Sequence, residues 1–165
     1  MRIETRVLAP SQSTPANLQQ CLHAIDAAAC AGADVLVLPP FVNYPPPWTA
    51  DEVFSVATRV PGPFVEEIQE RVRIRRIWVV FGVLERGDLR PDVLDARLVI
   101  APTGHLAGLR RRPITIHADG TWDSDQATVE RIEHDGWEFV VGGQIPALDM
   151  PTSAEGSGTR VFVYR

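Results

Sequence analysis

At 165 residues and 45% hydrophobic content the chain carries enough apolar material for one domain with a real core, and its two cysteines supply no disulfide framework. A net charge of -5 argues against general nucleic-acid binding. No stretch is long enough to cross a membrane, and Met1 to Arg6 alternates charged and apolar residues as a strand does and a signal peptide does not, so a cytoplasmic protein is expected.

Ile3 to Ala9 has the apolar and β-branched character of a strand. Thr14-Pro15 opens a helix, with Thr14 able to cap free amides and Pro15 already fixed near helical φ. Apolar residues then recur at Leu18, Cys21, Leu22, Ile25, Ala28 and Ala29, one face of a helix against a sheet, until Gly32 stops it. Val35 to Leu38 is a short continuous apolar run, the mark of a strand buried on both faces. The strand, helix, strand order predicts a parallel pair with the helix as crossover. At about 100° per residue Cys21 and Cys30 fall on opposite faces of that helix and cannot pair, so both read as small helix residues, at least one in the core.

Thr49-Ala50-Asp51-Glu52 matches a capping box and predicts a short helix through Ala57. A second main helix runs from Pro63 to about Arg75 with Val65, Ile68 and Val72 inward. Arg71, Arg73, Arg75 and Arg76 at its end suit the macrodipole and read as a solvated terminus ahead of an anion site. Ile77 to Leu84 is a third buried strand, and Arg97 to Ala101 with Leu106 to Arg110 forms an antiparallel pair around Pro102-Thr103-Gly104. Thr115 to Asp125 reads as a solvated loop, its Asp119, Asp123 and Asp125 lacking the ligand ladder of an EF-hand. The histidines His23, His105, His117 and His134 have no metal-ligand spacing, so neither a metal nor a cofactor is expected. Phe139 to Val141 is a further strand ended by Gly142-Gly143, Gly156-Ser157-Gly158 a flexible tight turn, and Val161 to Tyr164 a last buried strand.

An ordered set of fragments adds a resemblance to these elements. Asn17, Gly32-Ala33-Asp34, Val35-Leu36-Val37-Leu38-Pro39, Tyr44-Pro45-Pro46, Val60-Pro61-Gly62-Pro63 and Phe81-Gly82-Val83-Leu84-Glu85-Arg86 follow one another along the chain. Val99 to Leu106 around Pro102-Thr103-Gly104 and then Leu109-Arg110-Arg111 continue the series. Together they resemble the nitrilase, or carbon-nitrogen hydrolase, superfamily, well over 1-113 and weakly over 114-165. The resemblance implies a single α/β domain over 1-165 with a nitrilase-like αββα sandwich, of which the chain holds approximately the N-terminal half, as a truncated and degenerate homologue.

That family uses a cysteine thiolate to attack a nitrile or amide carbon, a glutamate as general base and a lysine to stabilise the tetrahedral intermediate. The base position holds Pro40, whose ring accepts no proton. Leu109-Arg110-Arg111 lies where the family has Tyr-Arg-Lys, so the lysine position falls on Arg111, give or take one residue; a guanidinium there is planar, bulkier and permanently charged. The strand that precedes the nucleophile matches Gly158 to Arg165, where the sequence ends. The resemblance therefore implies no catalytic residues of the chain's own, with Pro40 and Arg111 as degenerate positions. The old cleft gives a candidate pocket of Phe41, Asn43, Tyr44, Trp48 and Arg111, against which stands a simple packed loop.

Missing neighbours for the last strand would leave apolar edges, so a homo- or hetero-oligomer is expected, with a nitrilase-like chain as one possible partner and with neither nucleic acid nor membrane. Three functions stay open: an inactive nitrilase-fold subunit that assembles or regulates a partner, an amidase or nitrilase site whose Cys and Glu come from the partner, and a small-molecule binding protein for an amide, nitrile or carboxylate.

Overall fold

A computed structural model of the protein describes residues 2-119, 121-124, 130-134, 137-142, 153-156 and 159-164. Strand β1 (Ile3–Thr5), helix α1 (Thr14–Cys30) and strand β2 (Val35–Val37) open the chain. Helix α2 (Val53–Val56), helix α3 (Pro63–Arg75) and strand β3 (Trp78–Arg86) follow, and then β4 (Val93–Ile100), β5 (Leu106–Ile116) and β6 (Trp122–Ser124). These six strands form one sheet in chain order, parallel from β1 through β3 and antiparallel thereafter. Strands β7 (Glu130–His134), β8 (Trp137–Gly142), β9 (Ser153–Gly156) and β10 (Thr159–Tyr164) form a second sheet in the order β7-β8-β10-β9.

Alternation along the strands sorts the first sheet into two faces. Val79, Phe81 and Val83 of β3, with Ala96, Leu98 and Ile100 of β4, share a core with Cys21, Leu22 and Ile25 of α1 and Val65, Ile68 and Val72 of α3. This is the helix face. Trp78, Val80 and Val99 point the other way, into a cluster with Val35, Val37 and Phe139 of β8. The Trp78 and Phe139 rings lie 4.8 Å apart, so the second sheet covers this inner face and the layers run helix, sheet, sheet. The helices are tied to each other at the surface, where Asp26 of α1 receives Arg71 and, at 2.7 Å, the Nε of Arg75. Arg73 bonds Glu70 instead, and Arg76 takes φ 58 as the left-handed cap that ends α3. The arginine-rich end of α3 is thereby accounted for by ion pairs and a cap.

Most of the expected elements stand within a few residues of where the sequence puts them, and α3 matches in full. The start of α1 differs: Ser13 occupies the cap position without a side-chain bond, and Thr14 is already helical. Only half of the capping box forms, the amide of Glu52 donating to Thr49 Oγ1 at 3.3 Å.

Two expectations are corrected. The polar stretch from Thr115 is not a loop throughout, since Ile116 pairs with Trp122 and Ile114 with Ser124 in a hairpin. The strand ending at Tyr164 does not lack neighbours, because β10 is flanked by β8 on one side and β9 on the other. Ser157 and Gly158, in the expected tight turn, and Asp125 lie outside the described residues. Among the described residues no helix is long and apolar enough to cross a membrane.

Candidate functional site

Where β2 ends, its chain stays attached to β3. The amide of Leu38 donates to Val80 O at 2.8 Å, that of Gly82 to Pro39 O at 3.3 Å and that of Val42 to Gly82 O at 2.9 Å. One step further the ladder continues through a side chain: Asn43 Nδ2 donates to Leu84 O at 2.9 Å while Asn43 Oδ1 accepts the Leu84 amide at 2.8 Å. Asn43 acts as a substitute peptide group there, and its own carbonyl receives Asn17 Nδ2 at 2.9 Å, which fastens the loop to α1. These bonds fix Pro40 against β3.

Pro40 lies across Gly82 from Arg97. A Cβ placed on Gly82 would meet both the Pro40 Cα and the Arg97 Cδ at 3.0 Å, so the absence of a side chain at this position lets loop and arginine approach each other. Arg97 is gripped by Asp95 through two bonds, Nε to Oδ1 at 2.7 Å and Nη2 to Oδ2 at 3.0 Å, and its guanidinium stands 5.8 Å from the centre of the Phe41 ring. Asp95 is 2% exposed. The neighbourhood of Pro40 is thus occupied by a closed arginine-carboxylate pair.

The strand register distributes the arginines of β5. Arg110 pairs with Arg97 and Arg112 with Asp95, which puts both on the inner face with Pro40; Arg111 pairs with Ala96 and faces the helices. There it meets Glu85, Nε to Oε2 at 2.8 Å and Nη2 to Oε1 at 2.9 Å, with Nη2 also donating to Val60 O at 3.0 Å. The bond to Glu85 raises the Arg111 pKa above the usual guanidinium value. A one-residue ambiguity in the sequence therefore has a structural cause. Counted from the Ile100–Leu106 pair, Arg111 would sit opposite Asp95, and the bulge next to Val99 shifts the register by one.

The candidate pocket residues are not gathered into one cavity. Phe41, Asn43, Tyr44 and Trp48 are all buried. Phe41 packs edge-on against Trp48 and Trp122, with centroids at 4.9 and 5.1 Å, and the Trp48 indole donates to Tyr44 O. This packing holds Phe41 at φ 53, a left-handed backbone rare for a bulky side chain. Arg111 instead lines a cleft of about 330 Å³ on the helix face with Arg59, Val60, Glu85, Arg86, Asp88 and Leu94. Aromatic cluster and cleft lie on opposite sides of the sheet.

Neither cysteine is placed for nucleophilic attack near Pro40. Cys21 is inside the α1 core, where burial pushes its thiol up to about 12, and Cys30 is exposed on the same helix. Among the described residues no group of three or more His, Cys, Asp or Glu is arranged to hold a metal. Asp119 serves its own turn by accepting from the Thr121 amide and hydroxyl, and those bonds lower its pKa. The sequence gives no site role to Gly82, Asp95 or Arg97, although period-two alternation in β4 carries a signal for the last two, and Arg112 falls within the one-residue margin around Arg111.

A family model described as carbon-nitrogen hydrolase matches residues 5-156. None of the curated proteins matches the chain. Among solved structures, an amidase from Nesterenkonia sp. AN1 superposes with a TM-score of 0.62 at 14% identity, covering 84% of this chain and 55% of that one. A variant of that amidase, with acrylamide joined to its active-site cysteine by Michael addition, gives the same figures. The NitFhit protein of C. elegans superposes at 0.60 with 16% identity over 70% of this chain and 27% of its own. At such identities the likeness is one of fold, and the chain spans about half the length of the amidase. With the family model extending over nearly all of its residues, the chain belongs to the carbon-nitrogen hydrolase family.

Proposed function

We propose that this chain is a family member without hydrolytic activity of its own, serving as a nitrilase-fold subunit that assembles with or regulates a partner protein. The observation that carries the reading is Pro40. The resemblance assigns the general base to this position, which holds a residue with no titratable atom, and the space beside it is taken by Arg97 in its bidentate pair with Asp95. The cysteines support it, one being a buried neutral thiol and the other an exposed residue of the outer helix. The test is ammonia release from a panel of primary amides and nitriles by the purified chain, with intact-mass spectrometry for an acyl-enzyme. Neither signal is expected, and steady turnover by homogeneous material overturns the reading.

One observation favours a second reading, in which a partner supplies Cys and Glu. Arg112 is a cation on the inner face, where an oxyanion would need one, and it takes the role of the family lysine in this reading. Mixing the chain with a competent partner would then raise turnover, and Arg112→Ala would remove the gain. An unchanged rate with that variant would end this alternative.

A further inference from the structure

We infer that the helix-face cleft is a binding site for a small oxyanion, a carboxylate or a phosphate group, held by Arg59 and Arg111. The inference does not rest on the reading of Pro40, because the cleft lies on the other side of the sheet.

Three segments build it: the loop through Arg59 and Val60, the end of β3, and β5. They are joined by backbone bonds, the Thr58 amide donating to Leu84 O at 3.0 Å and the Arg86 amide to Thr58 O at 2.7 Å, so the walls are fixed before any ligand arrives. The cleft's floor is the Glu85–Arg111 pair. Glu85 is 3% exposed and gives both oxygens to one edge of the Arg111 fork, whereas the arginine side chain is 44% exposed and, among the described residues, nothing bonds its Nη1. A buried carboxylate thus orients a guanidinium whose outer edge faces the cleft, a preorganised donor for oxyanions.

The donors the cleft offers an anion are the outer edge of Arg111 and the exposed Arg59. Arg59 is exposed and, among the described residues, bonds no carboxylate. Arg86 adds no charge to it, since it follows Glu85 on the strand and turns its side chain to the other face, where Nη2 donates to Ser55 O and the guanidinium lies over the Phe54 ring. Against Arg59 and Arg111 stand Glu85, already committed to one edge of the Arg111 fork, and the exposed Asp88. The volume of about 330 Å³ is at the small end of ligand sites and suits a compact anion.

The experiment is a titration of the whole chain with inorganic phosphate and, separately, sodium acetate at constant ionic strength, followed by amide chemical shifts. Saturable shifts at Val60 and Gly87 with one of the anions are expected, and the anion that saturates at lower concentration identifies the ligand group. Arg59→Ser, a surface change that leaves the fold intact, should weaken binding about tenfold. Arg111→Lys, which keeps the charge but loses the fork, should weaken it too. Arg6→Ser, an exposed cation at the other edge of the sheet, should have no effect. Failure of both anions to saturate, an unchanged affinity in Arg59→Ser, or an equal loss in Arg6→Ser would each overturn the inference.

Discussion

Asn43→Ala is the sharpest test of how the loop at Pro40 is held. The side chain is completely buried and supplies the acceptor for the Leu84 amide and a donor for the Leu84 carbonyl, where the backbone of β2 no longer runs. The carbonyl keeps a partner after truncation, because the Thr58 amide also donates to it at 3.0 Å, but the amide is left in the protein interior with none. Stranding one buried donor costs about 1-3 kcal/mol, and the hollow left by the lost carboxamide adds about 1 kcal/mol, for a total of roughly 2-4 kcal/mol. In a domain of this size that lowers Tm by about 5-15 °C, measurable together with the urea midpoint at unchanged slope. Asn43→Asp separates the two bonds. It keeps the acceptor for the Leu84 amide but sets a carboxylate oxygen against the Leu84 carbonyl, so at neutral pH the variant should be as weak as the alanine. The introduced carboxyl has a folded pKa above its unfolded one, so its stability should fall as pH rises through the carboxylate range and recover in acid, where the protonated form donates again. A loss below about 1 kcal/mol for the alanine, or an aspartate variant as stable as the parent at pH 7, refutes this reasoning.

Other predictions concern the two faces of the sheet and the helix layer. Gly82→Ala should cost about 1-3 kcal/mol in urea unfolding, since its Cβ falls at 3.0 Å from the fixed Pro40 backbone and from Arg97; in an Arg97→Ala background, itself destabilised by the stranded Asp95, the added cost of Gly82→Ala should be smaller. Arg111→Ala should cost more than Glu85→Gln, about 1-3 kcal/mol against under 1 kcal/mol, because the first strands a carboxylate at 3% exposure whereas the second frees a guanidinium already half in water. In native thiol titration Cys30 should react at once and Cys21 only on unfolding. The Cys21 thiol, raised from 9.0 to about 12 by burial, keeps its proton where the unfolded chain has lost it, so this group's contribution to stability is complete below pH 9 and declines as pH climbs toward 12; Cys21→Ala should remove that slope from the alkaline unfolding curve.

The parts of the fold that could be read from the sequence are those with strong periodicity and local signals. Pro63 at the first turn and the Val65, Ile68, Val72 spacing define α3 to the residue, and the apolar run at Val35 needs helices on one side and another layer on the other, as found. The β5-β6 hairpin was hidden because its exposed positions, Thr115 and Asp123, pair with each other at the edge of the sheet and leave Trp122 as the one strong apolar mark of β6. That tryptophan finds Phe41 and Trp48, far away in sequence, and no local pattern announces such a contact. The position of the cations was legible only to within one residue, since a single bulged residue reverses which arginine of β5 looks inward.

On the proposed reading of Pro40 as the degenerate base position, its surroundings make the loss of a base deeper than one substitution. A general base works best with a pKa near the working pH, which for a carboxylate means an upward shift through burial or a like charge. A glutamate restored at this position would lie beside the Arg97 guanidinium, with Arg110 and Arg112 on the same face of the sheet. Neighbouring cations lower a carboxylate pKa, and a hydrogen bond from Arg97 would lower it further, leaving an ion that holds no proton at neutral pH and has little tendency to take one. It would also compete with Asp95 for both arms of the Arg97 fork and so disturb a buried pair. Gly82 admits Arg97 to this place, and Asp95 fixes it there. On that reading, glycine, aspartate and arginine together form an arrangement that opposes the return of a base beside Pro40.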